Sequence, residues 1–147
     1  MKAIFITFLL ALSGCSYHLG RIPSVESIVS VGEIQAISPD SELRPILARA
    51  LGVGLARRAK VGNGPPVHLQ LLETQVSPVG GKQFRLSVRL QLTMDGRVPS
   101  VAGGSQVFQG SADPTLHRKS QIAATRQLAG QLVEVALMDL LSTEVGD

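Results

Sequence analysis

Few side chains in this sequence are equipped for covalent or acid–base chemistry. Its 147 residues include one cysteine, Cys15, and three histidines, His18, His68 and His117. One thiol cannot close an internal disulfide, and the dispersed imidazoles do not make a Cys/His zinc cluster. No G-x-S-x-G, Walker A, H-E-x-x-H or Rossmann fingerprint occurs. Gly80-Gly81 lacks the following helix that a phosphate cradle needs. His117 with Asp113 resembles an acid–base pair, but Asp113 stands where a helix N-cap belongs. The expectation is a protein that is not an enzyme and uses no metal or cofactor. Charge chemistry remains. Lys82, Arg85, Arg118 and Lys119 carry donors suited to phosphate oxygens, the arginines as bidentate forks. With 14 Lys+Arg against 11 Asp+Glu and 3% aromatics, the chain has neither the charge nor the stacking surfaces of a nucleic-acid binder.

The thiol gains meaning from what precedes it. Met1-Lys2 is followed by an apolar run from Ala3 to Leu12 and then Ser13-Gly14-Cys15. This is the three-part pattern of an export leader. The run is too short to cross a bilayer, which takes roughly twenty apolar residues. Leu12-Ser13-Gly14-Cys15 resembles a bacterial lipobox, which implies removal of residues 1–14 and acylation of Cys15. Ser16 after the cysteine then implies the outer membrane. The expected organisation is a leader at 1–14, a lipidated tether at 15–27 and a single domain at 28–147, held on the periplasmic side by its acyl chains.

The elements of that domain follow from hydrophobic period. Ile28 to Ile37 is β-branched and partly alternating, a first strand. Ser38-Pro39-Asp40-Ser41-Glu42 signals a helix start, and Leu43, Leu47, Leu51 and Leu55 recur at helical spacing, with Pro45 marking where a regular helix begins. Gly52 and Gly54 suit close packing on a sheet. Gly62-Asn63-Gly64-Pro65-Pro66 reads as the loop that follows. Val67, Leu69 and Leu71 begin a second strand running to about Val76, and 77–82 is a hairpin loop. In the third strand Phe84, Leu86, Val88, Leu90, Leu92 and Met94 alternate with Gln83, Arg85, Ser87, Arg89, Gln91 and Thr93, giving one buried and one wet face. A turn at Asp95-Gly96 and a Gly/Ser-rich connection up to Gly104 lead to a weaker fourth strand at 106–112. Asp113-Pro114 then opens a helix to about Ser142. It would run roughly 43 Å, matching a third strand of roughly 40 Å. The expected fold is α+β and two-layered, in the order β-α-β-β-β-α, with two helices on one face of a four-stranded mixed sheet. An antiparallel fourth strand would return Arg118 and Lys119 to the end that carries Lys82 and Arg85, making a basic tip. The polar sheet face is a second surface, suited to docking a partner.

Cys15-Ser16-Tyr17-His18-Leu19 behind a short leader, followed by this order of elements, resembles the LptE-type lipopolysaccharide-assembly lipoproteins. The resemblance implies an outer-membrane lipoprotein that plugs and helps assemble the β-barrel inserting lipopolysaccharide into the outer leaflet. It also implies that lipopolysaccharide is bound through basic residues. Two other classes fit the leader and size: an auxiliary lipoprotein of an ABC-type envelope lipid transporter, and a lipoprotein activator of a cell-wall synthase. The latter is expected to carry a longer linker than the dozen residues from Ser16 to Ser27.

Overall fold

A computed structural model describes residues 28–36 and 42–142. The leader, Cys15, the tether with His18, and the turn at 38–41 lie outside the described residues. The order of elements is β1 (Ile28–Ala36), α1 (Leu43–Arg58), β2 (Lys60–Gly80), β3 (Gln83–Met94), β4 (Ser100–Gln109) and α2 (Pro114–Ser142). The strands form one sheet in spatial order β1-β2-β3-β4, with β1 parallel to β2 and the other pairs antiparallel. This is the expected α+β architecture.

The alternation at 83–94 organises the molecule. Leu86, Val88, Leu90, Leu92 and Met94 are buried, while Arg85 and Arg89 are exposed. α2 packs over β3 and β4, α1 packs over β1 and β2, and the two helices pack on each other. The core therefore lies between the sheet and one helical layer. Leu47, Leu51, Leu55, Leu69, Leu90, Leu137 and Leu140 are shut off from solvent there. Burying one such leucine contributes roughly 1.5–3 kcal/mol.

Helix α1 starts two residues before Pro45, because a proline within the first turn lacks only an N–H that has no intrahelical partner there. Gly54 packs on Leu137 and Val133 of α2 rather than on the sheet, and Gly52 has nothing near it. The Gly/Pro-rich stretch expected as a loop belongs to β2. Lys60 and Val61 pair with Ile28 and Val29, then the register jumps so that Ser30 meets Pro66. Residues 62–65 bulge out between these pairs. The Ser30 hydroxyl donates to the Gly64 carbonyl at 2.8 Å, and Gly64 passes so close to the Ile28 carbonyl that a Cβ would collide with it.

β2 also runs past the expected Val76. Its pairing with β3 continues through Pro78↔Phe84 to Gly80↔Gln83, and a tight turn closes at Gly81, whose φ of +55° favours glycine. A register shift between Leu71 and Glu73 reverses the faces of β2. Before it Val67, Leu69 and Leu71 point inward; after it Thr74, Val76 and Pro78 oppose the inward residues of β3. Strand β4 starts at Ser100, six residues earlier than expected, and ends before Ala112. It pairs with β3 through ten consecutive residues without a shift. Its helix-facing positions are Ser100, Ala102, Gly104, Gln106 and Phe108, too small and polar to announce a strand by hydropathy. They are small because α2 lies close above, with Leu132 Cδ2 3.2 Å from where a Gly104 Cβ would be.

α2 matches the expected span at both ends. Asp113 Oδ1 accepts from the Thr115 N–H at 2.8 Å and the Leu116 N–H at 3.4 Å. At the other end Arg97 donates to the Leu140 and Leu141 carbonyls at 3.4 and 3.2 Å. These bonds satisfy terminal groups that have no partner inside the helix. Asp113→Ala is expected to destabilise the domain by about 1 kcal/mol, and Asp113→Asn by much less, in urea denaturation.

Candidate functional site

The basic residues singled out by type gather at one end of the molecule but not on one surface. Lys82 sits in the β2–β3 turn, and its carbonyl accepts from the Gly110 N–H at 2.7 Å, which ties that turn to the end of β4. The start of α2 is fixed beside it by a ring cluster. His117 meets Phe84 edge-on at a centroid distance of 4.8 Å and Phe108 at 5.7 Å, while the two phenylalanines stack at 5.8 Å. Such contacts give His117 a packing role at this end. Arg118 reaches toward α1 and donates to Glu42 at 3.0 Å. Glu42 thus closes the helix layer with its carboxylate instead of capping α1. Between the two helix starts, over Val76 and Leu86, lies a small cleft of about 200 Å³ that both Glu42 and Arg118 line. Lys119 is exposed on the same turn of α2. Arg85 is exposed as well, but it lies between inward-facing Phe84 and Leu86 and so points from the opposite face of the sheet. Lys82, at the turn, lies where the two faces meet.

The helix-free face of the sheet is the larger polar surface. Across the strands, Ser77, Arg85 and Val107 form one row, Gln75, Ser87 and Ser105 the next, and Glu73, Arg89 and Gly103 a third. The stem of Arg89 lies over Gly103, with Cγ 3.6 Å from where a Cβ would be. Such a stem covers backbone while its guanidinium stays in water. At the β1 side His68 Nδ1 accepts from the Glu33 N–H at 2.9 Å, so this histidine fastens β1 to β2. Among the described residues no helix packs on this face.

A third feature escaped the sequence reading. The outer surface of the α1–α2 pair holds a groove of about 930 Å³ with Ile46, Ala50, Val53 and Ile122 in its lining. Arg49, Arg57 and Arg126 border it. Glu134 on α2 is held by Arg58 at 2.7 Å and Arg57 at 3.5 Å, which locks the end of α1 to the middle of α2. The available signal was the four-residue spacing of Pro45, Arg49, Val53 and Arg57, which places them in one row along α1.

Among the described residues no group of His, Cys, Asp and Glu could hold a metal ion, and no helix is long and apolar enough to cross a membrane.

No protein-family model and no curated protein matches the chain. The fold does match solved structures. A Xanthomonas campestris protein of the DUF330 family shares it with a TM-score of 0.54 and 11% identity, over 80% of this chain and 85% of that one. A candidate lipoprotein of Caulobacter crescentus CB15 matches with a TM-score of 0.51 and 15% identity, over 73% and 86%. A minor lipoprotein of Acinetobacter baumannii gives 0.49 and 17%, over 78% and 93%. At these identities the likeness is one of fold. The two-layer architecture is one found in a protein described as a candidate lipoprotein, and none of these descriptions mentions lipopolysaccharide.

Proposed function

We propose that the protein is an outer-membrane lipoprotein, a non-enzymatic subunit of the machinery that exports lipopolysaccharide, where it plugs and helps assemble the inserting β-barrel. The observation that carries this reading is a conjunction. A lipobox-like Cys15 is followed at once by Ser16-Tyr17-His18-Leu19, and the domain behind it has the β-α-β-β-β-α order that the LptE-type resemblance implies. The likeness of fold to a candidate lipoprotein supports the coarser part of the reading. The helix-free sheet face supports the docking part, since its Gln, Ser and Arg side chains offer hydrogen bonds to a barrel interior without needing an apolar partner.

In this reading the phosphates of lipopolysaccharide bind at the Lys82 end. The side chains of Lys82 and Arg85 make no hydrogen bond or ion pair among the described residues, so both are available to a ligand. Arg118 is already engaged with Glu42, and Lys119 extends the positive end along α2. Lys82→Glu combined with Arg85→Glu is expected to weaken lipopolysaccharide binding at least tenfold, with an unchanged circular dichroism spectrum because both residues are exposed. Full-strength binding by the double variant would remove the phosphate role from this end. Co-purification with a barrel tests the docking part separately.

A further inference from the structure

The two edges of the sheet are guarded very differently. Exposed edge strands are templates for pairing, and proteins blunt them with charge, proline, bulges or short length. β1, at one edge, carries Glu33 and two register irregularities. β4, at the other, reads Ser-Val-Ala-Gly-Gly-Ser-Gln-Val-Phe-Gln, ten residues with no charge and no proline. It holds regular register against β3 throughout, and no described strand pairs with its outer side.

The sequence of β4 is also complementary to itself. Residues directly opposite in an antiparallel pair share a face, so a two-fold axis must pass through a residue rather than between two. An axis at Gly104 sets Val101 opposite Val107 of a second copy, and Val107 opposite its Val101. These are the two exposed large apolar residues of β4, 46% and 47% accessible, and both lie on the helix-free face. The same axis sets Gly103 opposite Ser105 and Ala102 opposite Gln106. A slip of two residues instead faces Val107 with Gly103 and Val101 with Gln109, leaving each valine without an apolar partner. With neighbouring strands about 4.8 Å apart, α2 over β3 and β4 would lie about 10 Å from α2 of the second copy, an ordinary helix-packing distance.

We propose that two copies of this chain pair edge to edge through β4, antiparallel about Gly104, joining their sheets into one of eight strands. The pairing is independent of the lipopolysaccharide reading, because it rests on β4 alone.

Cysteine cross-linking of the full-length chain in detergent micelles tests it. In this register a Val101→Cys, Val107→Cys double variant brings each new thiol opposite its partner, within the Cα separation a disulfide spans. Each single variant leaves its two thiols about 20 Å apart, six residues along the strand. The expected result is a covalent dimer as the main product of the double variant under mild oxidation. Each single variant, like the parental chain whose one cysteine is Cys15, should give at least tenfold less. Sedimentation velocity supplies a second readout. The parental chain should sediment as a dimer, and a Val101→Lys, Val107→Lys variant, which opposes like charges at both sites, as a folded monomer. A parental chain that stays monomeric, or single variants that cross-link as well as the double, would overturn the proposal.

Discussion

Cys15→Ala is expected to abolish incorporation of labelled palmitate into the protein. Cys15 holds the one thiol in the sequence, and alanine offers no sulfur for a thioether. The effect should be all or none, because no other thiol can form the thioether, and membrane retention should be lost with it, because the energy of anchoring is large. Each buried methylene contributes roughly 0.8 kcal/mol, so a single chain binds marginally while several on one residue hold a protein on a bilayer almost permanently. Processing should fail with acylation, so residues 1–14 should remain attached and the intact mass should be that of the precursor. Label retained by the alanine variant would place any acyl chain elsewhere. A parental protein that takes up no label would remove the lipoprotein reading itself.

Leu90→Ala should cost about 2–5 kcal/mol of folding stability, the range for truncating a fully buried leucine. Leu90 has no accessible surface and lies on β3 between Leu71 of β2 and Ala102 of β4, beneath the helical layer. Removing its three outer carbons leaves a cavity that the sheet cannot close, since its strands are fixed by hydrogen bonds on both sides. Against a typical total of about 5–15 kcal/mol, that loss populates unfolded protein measurably under mild conditions. Arg89→Ala is the internal control. Its neighbouring side chain is on the helix-free face, so its cost should stay within about 0.5 kcal/mol. A large drop in the urea midpoint for Leu90→Ala with little change for Arg89→Ala verifies which face of β3 is buried. Equal costs would contradict the two-layer arrangement.

The parts of the fold that were legible from sequence are those where one periodicity dominates. β3 was evident from end to end because it has a helical layer on one side and solvent on the other, so polarity alternates at every step. α2 was evident because Asp113-Pro114 announces its start and its buried positions recur at helical spacing. β4 was half hidden. Its inward positions pack under α2 at close range and are filled by Ser100, Ala102 and Gly104, which carry turn-like composition into a paired strand. β2 was blurred for another reason: register shifts interrupt its pairing on both sides, one of them absorbing a Gly/Pro segment and another reversing the inward side. The candidate site shows the same division. Sequence order brought Lys82 and the start of α2 to one end, as the Gly110–Lys82 hydrogen bond shows. It did not reveal that Arg118 is engaged by Glu42, a contact between residues 76 positions apart. Nor did it separate the faces on which Arg85 and Arg118 lie, which requires knowing which side of the sheet the helices cover.

The most direct test of the central claim is affinity purification of the full-length lipidated protein from detergent-solubilised outer membranes, with identification of what accompanies it. A stoichiometric β-barrel of the lipopolysaccharide export pathway is expected to accompany it. Components of a lipid transporter or a cell-wall synthase in its place, with no such barrel, would contradict the claim.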